Sequence, residues 1–393
     1  MKKTVMLFFA LFALAVIPIR CLAYEEGDTV DITSVMEESL ESIDLAPWQR
    51  FISDNEFFES ITSASGSITE YIKKLIAGDA VISFDGFINA VFADFIAALK
   101  SHLNVAAILF GIAAMSAVLE KFSKSIFKGN ISAAASNILF CCAVGLIIKS
   151  FADVISRGVS AVNNMSDFID KSLPVLMSLV TAIQSAASSQ ILRPSVIMIV
   201  ELTVKLINCI IIPLLSSSAV LSIAYNVSKS NTFSEISGSI KKLADWIIGI
   251  MFTLFFGIIS IQKLTSSALD GVSVKAVKYT LSSFSLYGGS FLSKSFDVVT
   301  GCAVIMKNVL GGISMIILLS ICIAPAVYLL AISLVYRITA FLASLIGETR
   351  ISGCLCDIGK IYGTVFLCVM TASVLFFMLL SVITAVGNTL IGI

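Results

Sequence analysis

Residues 309–335 read VLGGISMIILLSICIAPAVYLLAISLV and contain no Asp, Glu, Lys or Arg. A second run without charged residues covers 361–386, and the two are separated by GETRISGCLCDIGK, residues 347–360. A helix of about 20 apolar residues crosses the roughly 30 Å hydrocarbon core of a bilayer. This end of the chain therefore predicts two membrane helices joined by a short charged connection.

The whole chain has the composition of a membrane protein. It has 393 residues, of which 58% are hydrophobic and 13% are charged, and its mean hydropathy is +1.00. An average soluble domain is about 25% charged. We therefore predict an all-α, polytopic membrane helical bundle with six or seven spans. These lie near 103–119, 131–150, 173–192, 195–224, 243–261, 309–335 and 361–386.

The third of these runs leaves the number of spans open. Residues 173–192 contain Pro174, and their second half is rich in Ser, Ala and Gln. The run is either a weak span or a re-entrant half-helix. The Lys and Arg counts of alternate loops do not separate seven spans from six. The C-terminus lies inside the cell with seven spans and outside it with six.

The beginning of the chain resembles a secretory signal peptide, predicted at 1–23. Lys2 and Lys3 precede an apolar core at 5–19, and cleavage is expected after Ala23. An uncleaved anchor is the alternative. A working leader places the next residues outside the cytoplasm.

Residues 24–102 form an acidic extracytoplasmic region that holds 15 of the 26 acidic residues. Within it, apolar residues at helical spacing predict an amphipathic helix over 84–100. This helix lies either in the membrane interface or against protein, and the acids on its polar face favour protein. Partial disorder is expected over 24–60.

The remaining residues, 103–393, are predicted to form the transmembrane domain. The first span is followed by Lys121, Lys124 and Lys128, which indicate a cytoplasmic loop. Small residues in the first two spans favour close helix packing, in a bundle or a homo-oligomer.

The sequence contains no signature of an enzyme. It has no P-loop, no H-E-x-x-H and no G-x-S-x-G pattern. His102 is the single histidine and is expected to be a polar residue at the membrane interface. Most of the nine cysteines lie in apolar runs, and no role is assigned to Cys354 and Cys356. We predict no catalytic, metal or cofactor site and no nucleic-acid partner.

Three features are candidates for function inside the membrane. Glu201 and Lys205 are four residues apart in the order that favours an ion pair on one helix. Such charges in hydrocarbon are costly and often functional, unless the start of the long run 195–224 protrudes into the headgroups. Pro213 and Pro325 each lie within a long apolar run. Each marks either a broken helix that lines a substrate path or a kink with a packing role only.

The charged connection is the fourth candidate. Gly347 can end one helix, and the apolar residues that follow keep helical spacing, which predicts a short amphipathic helix leading into the last span. Its charged residues either hold the connection at the membrane surface or form a docking surface for a neighbouring subunit. The sequence alone favours the connector. The four charged residues are Glu348, Arg350, Asp357 and Lys360.

Several of these segments resemble one known family. GGISMIILLSICIAPAVYLL at 311–330, the charged connection, the Phe-rich last span ending TAVGN at 384–388, and LPVLMSLVTAIQSAASSQ at 173–190 are similar to stage III sporulation protein AE of endospore-forming bacteria. The resemblance implies a multi-pass protein of the mother-cell membrane around the forespore. It would be a subunit of the channel or secretion complex that is required for sporulation after engulfment.

The resemblance also implies the partners. These are the other membrane subunits and the cytoplasmic ATPase of the stage III sporulation A complex, forespore protein Q, and membrane lipid. Two other functions remain open. A stand-alone secondary transporter or permease predicts inverted repeats, and an adhesion or sensor protein predicts that 24–102 folds alone and binds a ligand.

Overall fold

The computed structural model describes residues 84–125, 130–183, 186–228, 231–283 and 289–385, together with six positions between 45 and 72. The predicted signal peptide, most of the acidic region and the last eight residues lie outside this part. The described part is helical throughout. The helices are α1 (Phe84–Ser125), α2 (Asn130–Ile183), α3 (Ala186–Leu206), α4 (Ile212–Ser228), α5 (Asn231–Ser283), α6 (Gly289–Ile346) and α7 (Thr349–Ala385).

Six helical segments are long and apolar enough to cross a membrane. They cover 86–121, 134–181, 194–228, 232–261, 303–346 and 349–385. The predicted spans 131–150 and 173–192 do not form two separate crossings, because α2 is continuous from Asn130 to Ile183 with Pro174 inside it. At 1.5 Å per residue, this helix is about 80 Å long, far longer than a bilayer is thick.

The core is the hairpin of α6 and α7, and α7 is the most enclosed of the six segments. Small and hydroxyl-bearing residues bring the two helices together. Ser333 donates a hydrogen bond to the carbonyl of Gly359 (2.8 Å), and Ser352 donates one to the carbonyl of Ala340 (2.8 Å). Bonds of this kind, together with glycines that admit a close approach, drive helix association where lipid offers no hydrophobic gain.

One end of the bundle gathers the ends of several helices, and we call it the basal end. Arg350 at the start of α7 bonds to Asn137 of α2 and Asn226 of α4. Gly347, after α6, lies next to Lys121 of α1. Since Lys121 belongs to the basic cluster that predicts a cytoplasmic loop, the basal end is the expected cytoplasmic end.

A second polar level lies above the basal end. His102 of α1 packs edge-on against Tyr328 of α6, with ring centroids 4.6 Å apart. Tyr328 also donates a hydrogen bond to Asp153 of α2. Along α1, His102 is 19 residues from Lys121, or about 28 Å at 1.5 Å per residue. This separation matches the thickness of the hydrocarbon core.

Residues 84–100, where an amphipathic helix is predicted, are helical but do not form a separate element. They form the first part of α1 and continue into the first span without a break at residue 102. Phe87 is buried against Leu319 and Ile323 of α6, which agrees with packing on protein. Phe92, at the edge of the predicted apolar face, is 62% exposed.

Part of the acidic region also packs on the bundle. Leu45, Trp48 and Ile72 are buried and join the main core. The ring of Phe51 meets Phe168 of α2 edge-on, with centroids 5.3 Å apart. Phe168 is beyond Asp153 on α2, so this contact lies away from the basal end. The described residues of this region therefore contact the bundle at a distance from Lys121.

The connection between α6 and α7 confirms that Gly347 ends a helix. Its φ is +94°, a conformation that suits glycine. The N–H of Gly347 donates to the carbonyl of Ser344 (3.1 Å), and the N–H of Glu348 donates to the carbonyl of Ala343 (3.2 Å). This pair of bonds is the Schellman motif, which satisfies the last carbonyls of a helix.

Replacing this glycine is expected to strain the turn. Gly347→Ala should lower the free energy of unfolding by about 1 kcal/mol, because an L side chain is disfavoured at positive φ. The measurement is the unfolding midpoint of the purified protein in detergent. Gly238→Ala is the control, since Gly238 lies inside α5 with no atom near its added Cβ. That variant should unfold no earlier than the native chain, and equal losses in the two variants would contradict this account of the turn.

Candidate functional site

The first two charged residues of the connection are used inside the molecule. Glu348 caps α7, because its Oε1 accepts the N–H groups of Arg350 (3.2 Å) and Ile351 (3.3 Å). Arg350 donates from Nη1 to Asn137 Oδ1 (3.0 Å) and from Nε to the carbonyl of Asn226 (3.3 Å). Glu348 therefore stabilises the start of its own helix, and Arg350 connects α7 to α2 and α4. Two of the four residues of the predicted docking surface are therefore engaged in contacts within this chain.

The other two residues pair with each other on α7, and Asp357 also contacts α4. Lys360 Nζ lies 2.9 Å from Asp357 Oδ1. Ser222 of α4 donates to the second oxygen of Asp357 (3.1 Å). On the next turn of α7, Thr364 donates to Asp245 of α5 (3.1 Å).

Asp245 belongs to a second ion pair on α5. Its Oδ2 lies 2.8 Å from Lys241 Nζ, one helical turn earlier. The two ion pairs therefore lie on neighbouring helices. Thr364 links the pair on α5 to α7, and Ser222 links the pair on α7 to α4. Neither Lys241 nor Asp245 was singled out from the sequence, where they flank the start of the predicted span 243–261.

These groups border one narrow accessible face of α7, which we call the charged strip. It consists of Cys356, Asp357, Lys360 and Gly363, and it is partly or fully exposed on a helix that is otherwise mostly buried. At 100° per residue, Asp357 lies about 60° to one side of Lys360, and Gly363 lies about 60° to the other. One edge of the strip therefore meets α5, and the other meets α6.

The α6 edge of the strip is occupied by Arg337. A Cβ added to Gly363 would lie 2.9 Å from Arg337 Nη2, and one added to Gly359 would lie 3.1 Å from its Cγ. Gly359 and Gly363 form a G-x-x-x-G pattern, which lets another chain approach a helix closely. Here the pattern makes room for an arginine side chain. The sequence could have indicated this residue, because Arg337 is a charged residue only two positions after the apolar run 309–335.

The predicted pair Glu201 and Lys205 forms as an ion pair, with Nζ and Oε2 3.0 Å apart. Their side chains are 58% and 70% exposed, and they lie on α3, away from the charged strip. Exposed pairs of this type contribute little to stability. The structure does not bring this pair together with the charges of the connection.

Removing the pair is therefore expected to leave the fold intact. The double variant Glu201→Gln/Lys205→Gln should change the free energy of unfolding by less than about 0.5 kcal/mol. The measurement is the unfolding midpoint in detergent beside the native chain. A loss of several degrees would show that the pair supports the bundle.

Pro213 disturbs its helix without ending it. A π-helical segment, Ile207–Ile211, directly precedes α4, and the N–H of Ile212 bonds to the carbonyl of Ile207. Proline lacks an N–H and crowds the preceding turn, so a wider turn before it relieves the clash. The segment contains Asn208, whose side-chain amide donates to Asn163 of α2 (2.9 Å).

A helix break and a packing kink were the two alternatives predicted at Pro325. α6 continues through this residue, so the helix is not broken there. Pro325 lines an open groove of about 580 Å³ between α1, α2 and α6, together with Asp94, Arg157 and Tyr328. Arg157 pairs with Asp153 on its own helix (3.1 Å), and its guanidinium lies 4.2 Å from the centre of the Tyr328 ring.

The two cysteines of the connection differ in their surroundings. Both are free thiols; Cys354 is buried, whereas Cys356 is partly exposed on the charged strip. In the described part of the chain, no group of three His, Cys, Asp or Glu residues is placed to hold a metal ion.

Comparison with known proteins identifies relatives of the chain. The family model described as "Stage III sporulation protein AE" matches residues 66–387. A curated protein of Bacillus subtilis (strain 168), "Stage III sporulation protein AE", is 24% identical over 326 residues, which cover 83% of this chain and 81% of the relative. No solved structure matches the chain. The matched residues include all six membrane-crossing segments and the charged strip.

Proposed function

Because the chain belongs to the stage III sporulation protein AE family, we propose that it is a membrane subunit of the complex connecting mother cell and forespore. In this role it forms part of a channel or secretion apparatus in the mother-cell membrane around the forespore. The other subunits of the stage III sporulation A complex, its cytoplasmic ATPase and forespore protein Q are the proposed partners.

The observation that carries the proposal is the family match over most of a chain with six membrane-crossing helices. The ion pairs of the charged strip give it further support. Ionisable groups among membrane helices usually face a protein neighbour or a water-filled cavity. The sequence has no nucleotide-binding motif, which fits a bundle whose energy comes from another subunit.

Deleting the gene in its endospore-forming host tests the proposal. The deletion strain should grow normally, complete engulfment and then fail to form heat-resistant spores, and the native gene should restore them. Microscopy with a membrane dye gives the stage of arrest, and counting heat-resistant colonies gives the size of the defect. Normal spore numbers in the deletion strain would overturn the proposal.

A stand-alone transporter remains the second candidate, supported by the groove beside Pro325. It predicts uptake of a defined solute by liposomes that contain the purified chain alone. A sporulation defect together with no such uptake would favour the complex subunit.

A further inference from the structure

Arg337 is the charged residue beside the strip that has no counter-ion. Its Nε is buried without a hydrogen-bond partner, and no ion pair to this residue is found in the described part of the chain. The two acids of the same region are already paired, Asp245 with Lys241 at 2.8 Å and Asp357 with Lys360 at 2.9 Å. The region therefore contains three cations, Lys241, Lys360 and Arg337, but only the two carboxylates of these ion pairs. The charge of Arg337 is left without a counter-ion.

The position of this arginine is fixed by its surroundings. Its side chain lies across Gly359 and Gly363, where no Cβ atom intervenes. Ser333, one turn before it on α6, bonds to the carbonyl of Gly359 and holds the two helices in register. The guanidinium is therefore already ordered before a partner binds. Binding then costs less conformational entropy than it would at a mobile side chain.

Its depth makes an unmatched charge costly. Along α6, Arg337 is ten residues from Gly347 and nine from Tyr328, or about 15 Å and 13 Å. It therefore lies midway between the basal end and the upper polar level. An unpaired charge at the centre of a bilayer is costly, so a paired arrangement is strongly favoured.

The surface next to Arg337 has the length and character of a helix contact. Ile338, Phe341, Leu342 and Leu345 lie on successive turns of α6 and are 54%, 62%, 42% and 67% exposed. These four residues, which we call the α6 face, offer an apolar track of about two turns. An apolar helix can lie along the track and bring a side chain to the arginine.

We infer that Arg337 and the α6 face bind a membrane helix of a different protein, which carries one Asp or Glu within an apolar segment. One carboxylate would neutralise the unmatched charge. A second copy of this chain fits less well, because the acids at this depth, Asp245 and Asp357, are already held by lysines. Lipid phosphate fits less well because it lies at headgroup level. The inference rests on the proposed function, since it requires a membrane partner.

A charge swap tests the inference. Arg337→Glu should reduce the yield of heat-resistant spores at least tenfold, while the same charge reversal at the exposed Lys100 of α1, Lys100→Glu, should leave it unchanged. Both variants should purify as monodisperse protein in detergent. Suppressors of Arg337→Glu should map to an Asp or Glu of another membrane protein, replaced by Lys or Arg. Normal sporulation of Arg337→Glu, or suppressors confined to this chain, would overturn the inference.

Photocrosslinking gives an independent test, because it keeps Arg337 and does not require that Arg337→Glu folds. A benzophenone amino acid in place of Ile338 should crosslink, in sporulating cells, to an apolar helix of another protein with an acidic residue. Crosslinks only to lipid or to a second copy would overturn the inference. A deletion strain with normal spores would instead defeat the proposed function, so the two failures are distinguishable.

Discussion

Gly311→Ala is expected to lower the free energy of unfolding by about 2 kcal/mol. The added Cβ would overlap Thr384 Cγ2 and would lie 3.0 Å from Thr384 Cβ. Rotating the threonine side chain moves the methyl group but not its Cβ, so α6 and α7 must separate. Overpacking of this kind costs about 1–3 kcal/mol, more than the helix propensity that alanine gains.

The neighbouring glycine is the matched control. Gly312 has no atom within 4 Å of an added Cβ. Gly312→Ala should therefore stabilise the protein by up to about 1 kcal/mol through helix propensity alone. The two variants should shift the unfolding midpoint in detergent in opposite directions. Shifts of the same sign and size would show that α6 and α7 do not meet as described.

Arg350→Met is expected to cost about 2 kcal/mol, because it releases α2 and α4 from α7 at the basal end. Methionine fills much of the same volume, but it cannot donate to Asn137 or to the carbonyl of Asn226. It also loses the contact with the Phe140 ring, whose centre is 4.9 Å from the guanidinium carbon. Hydrogen bonds from charged groups contribute about 1.5–3 kcal/mol, and partial exposure of the arginine reduces the sum.

Limited proteolysis and the unfolding midpoint measure this loss. Lys205→Met is the control, because among the described residues Lys205 forms its ion pair with Glu201 on its own helix. Arg350→Met should unfold at a lower temperature and expose the loops at the basal end to protease sooner than the control. Equal behaviour of the two variants would show that Arg350 does not hold the helices together.

The sequence was sufficient to predict a helical membrane protein and the turn between its two central helices. The uncharged run 309–335 and the run 361–386 predicted the two central helices, which are now α6 and α7. Gly347 predicted the turn between them, since a helix end commonly requires a residue at positive φ. The basic cluster at Lys121 predicted one end of the bundle. These signals are local, and local pattern is what a single sequence records most clearly.

Two features could not be predicted because they depend on contacts between distant residues. The polar middle of α2, between Asp153 and Lys171, read as a break between two spans. It is instead one helix whose polar side chains are accessible. Asp357 and Lys360 were recognised, but their neighbours Ser222 and Asp245 come from α4 and α5. No spacing along the chain reveals such a meeting.

Labelling of single cysteines from the two sides of the membrane tests the six-crossing bundle most directly. In a chain without its native cysteines, Lys121→Cys and Ser344→Cys mark the basal end, and Ser101→Cys and Ser160→Cys mark the groove beside Pro325; all four positions are exposed. A membrane-impermeant maleimide should label the second pair in intact cells and the first pair only after permeabilisation. Labelling of both pairs from the same side would contradict the arrangement of helices described here.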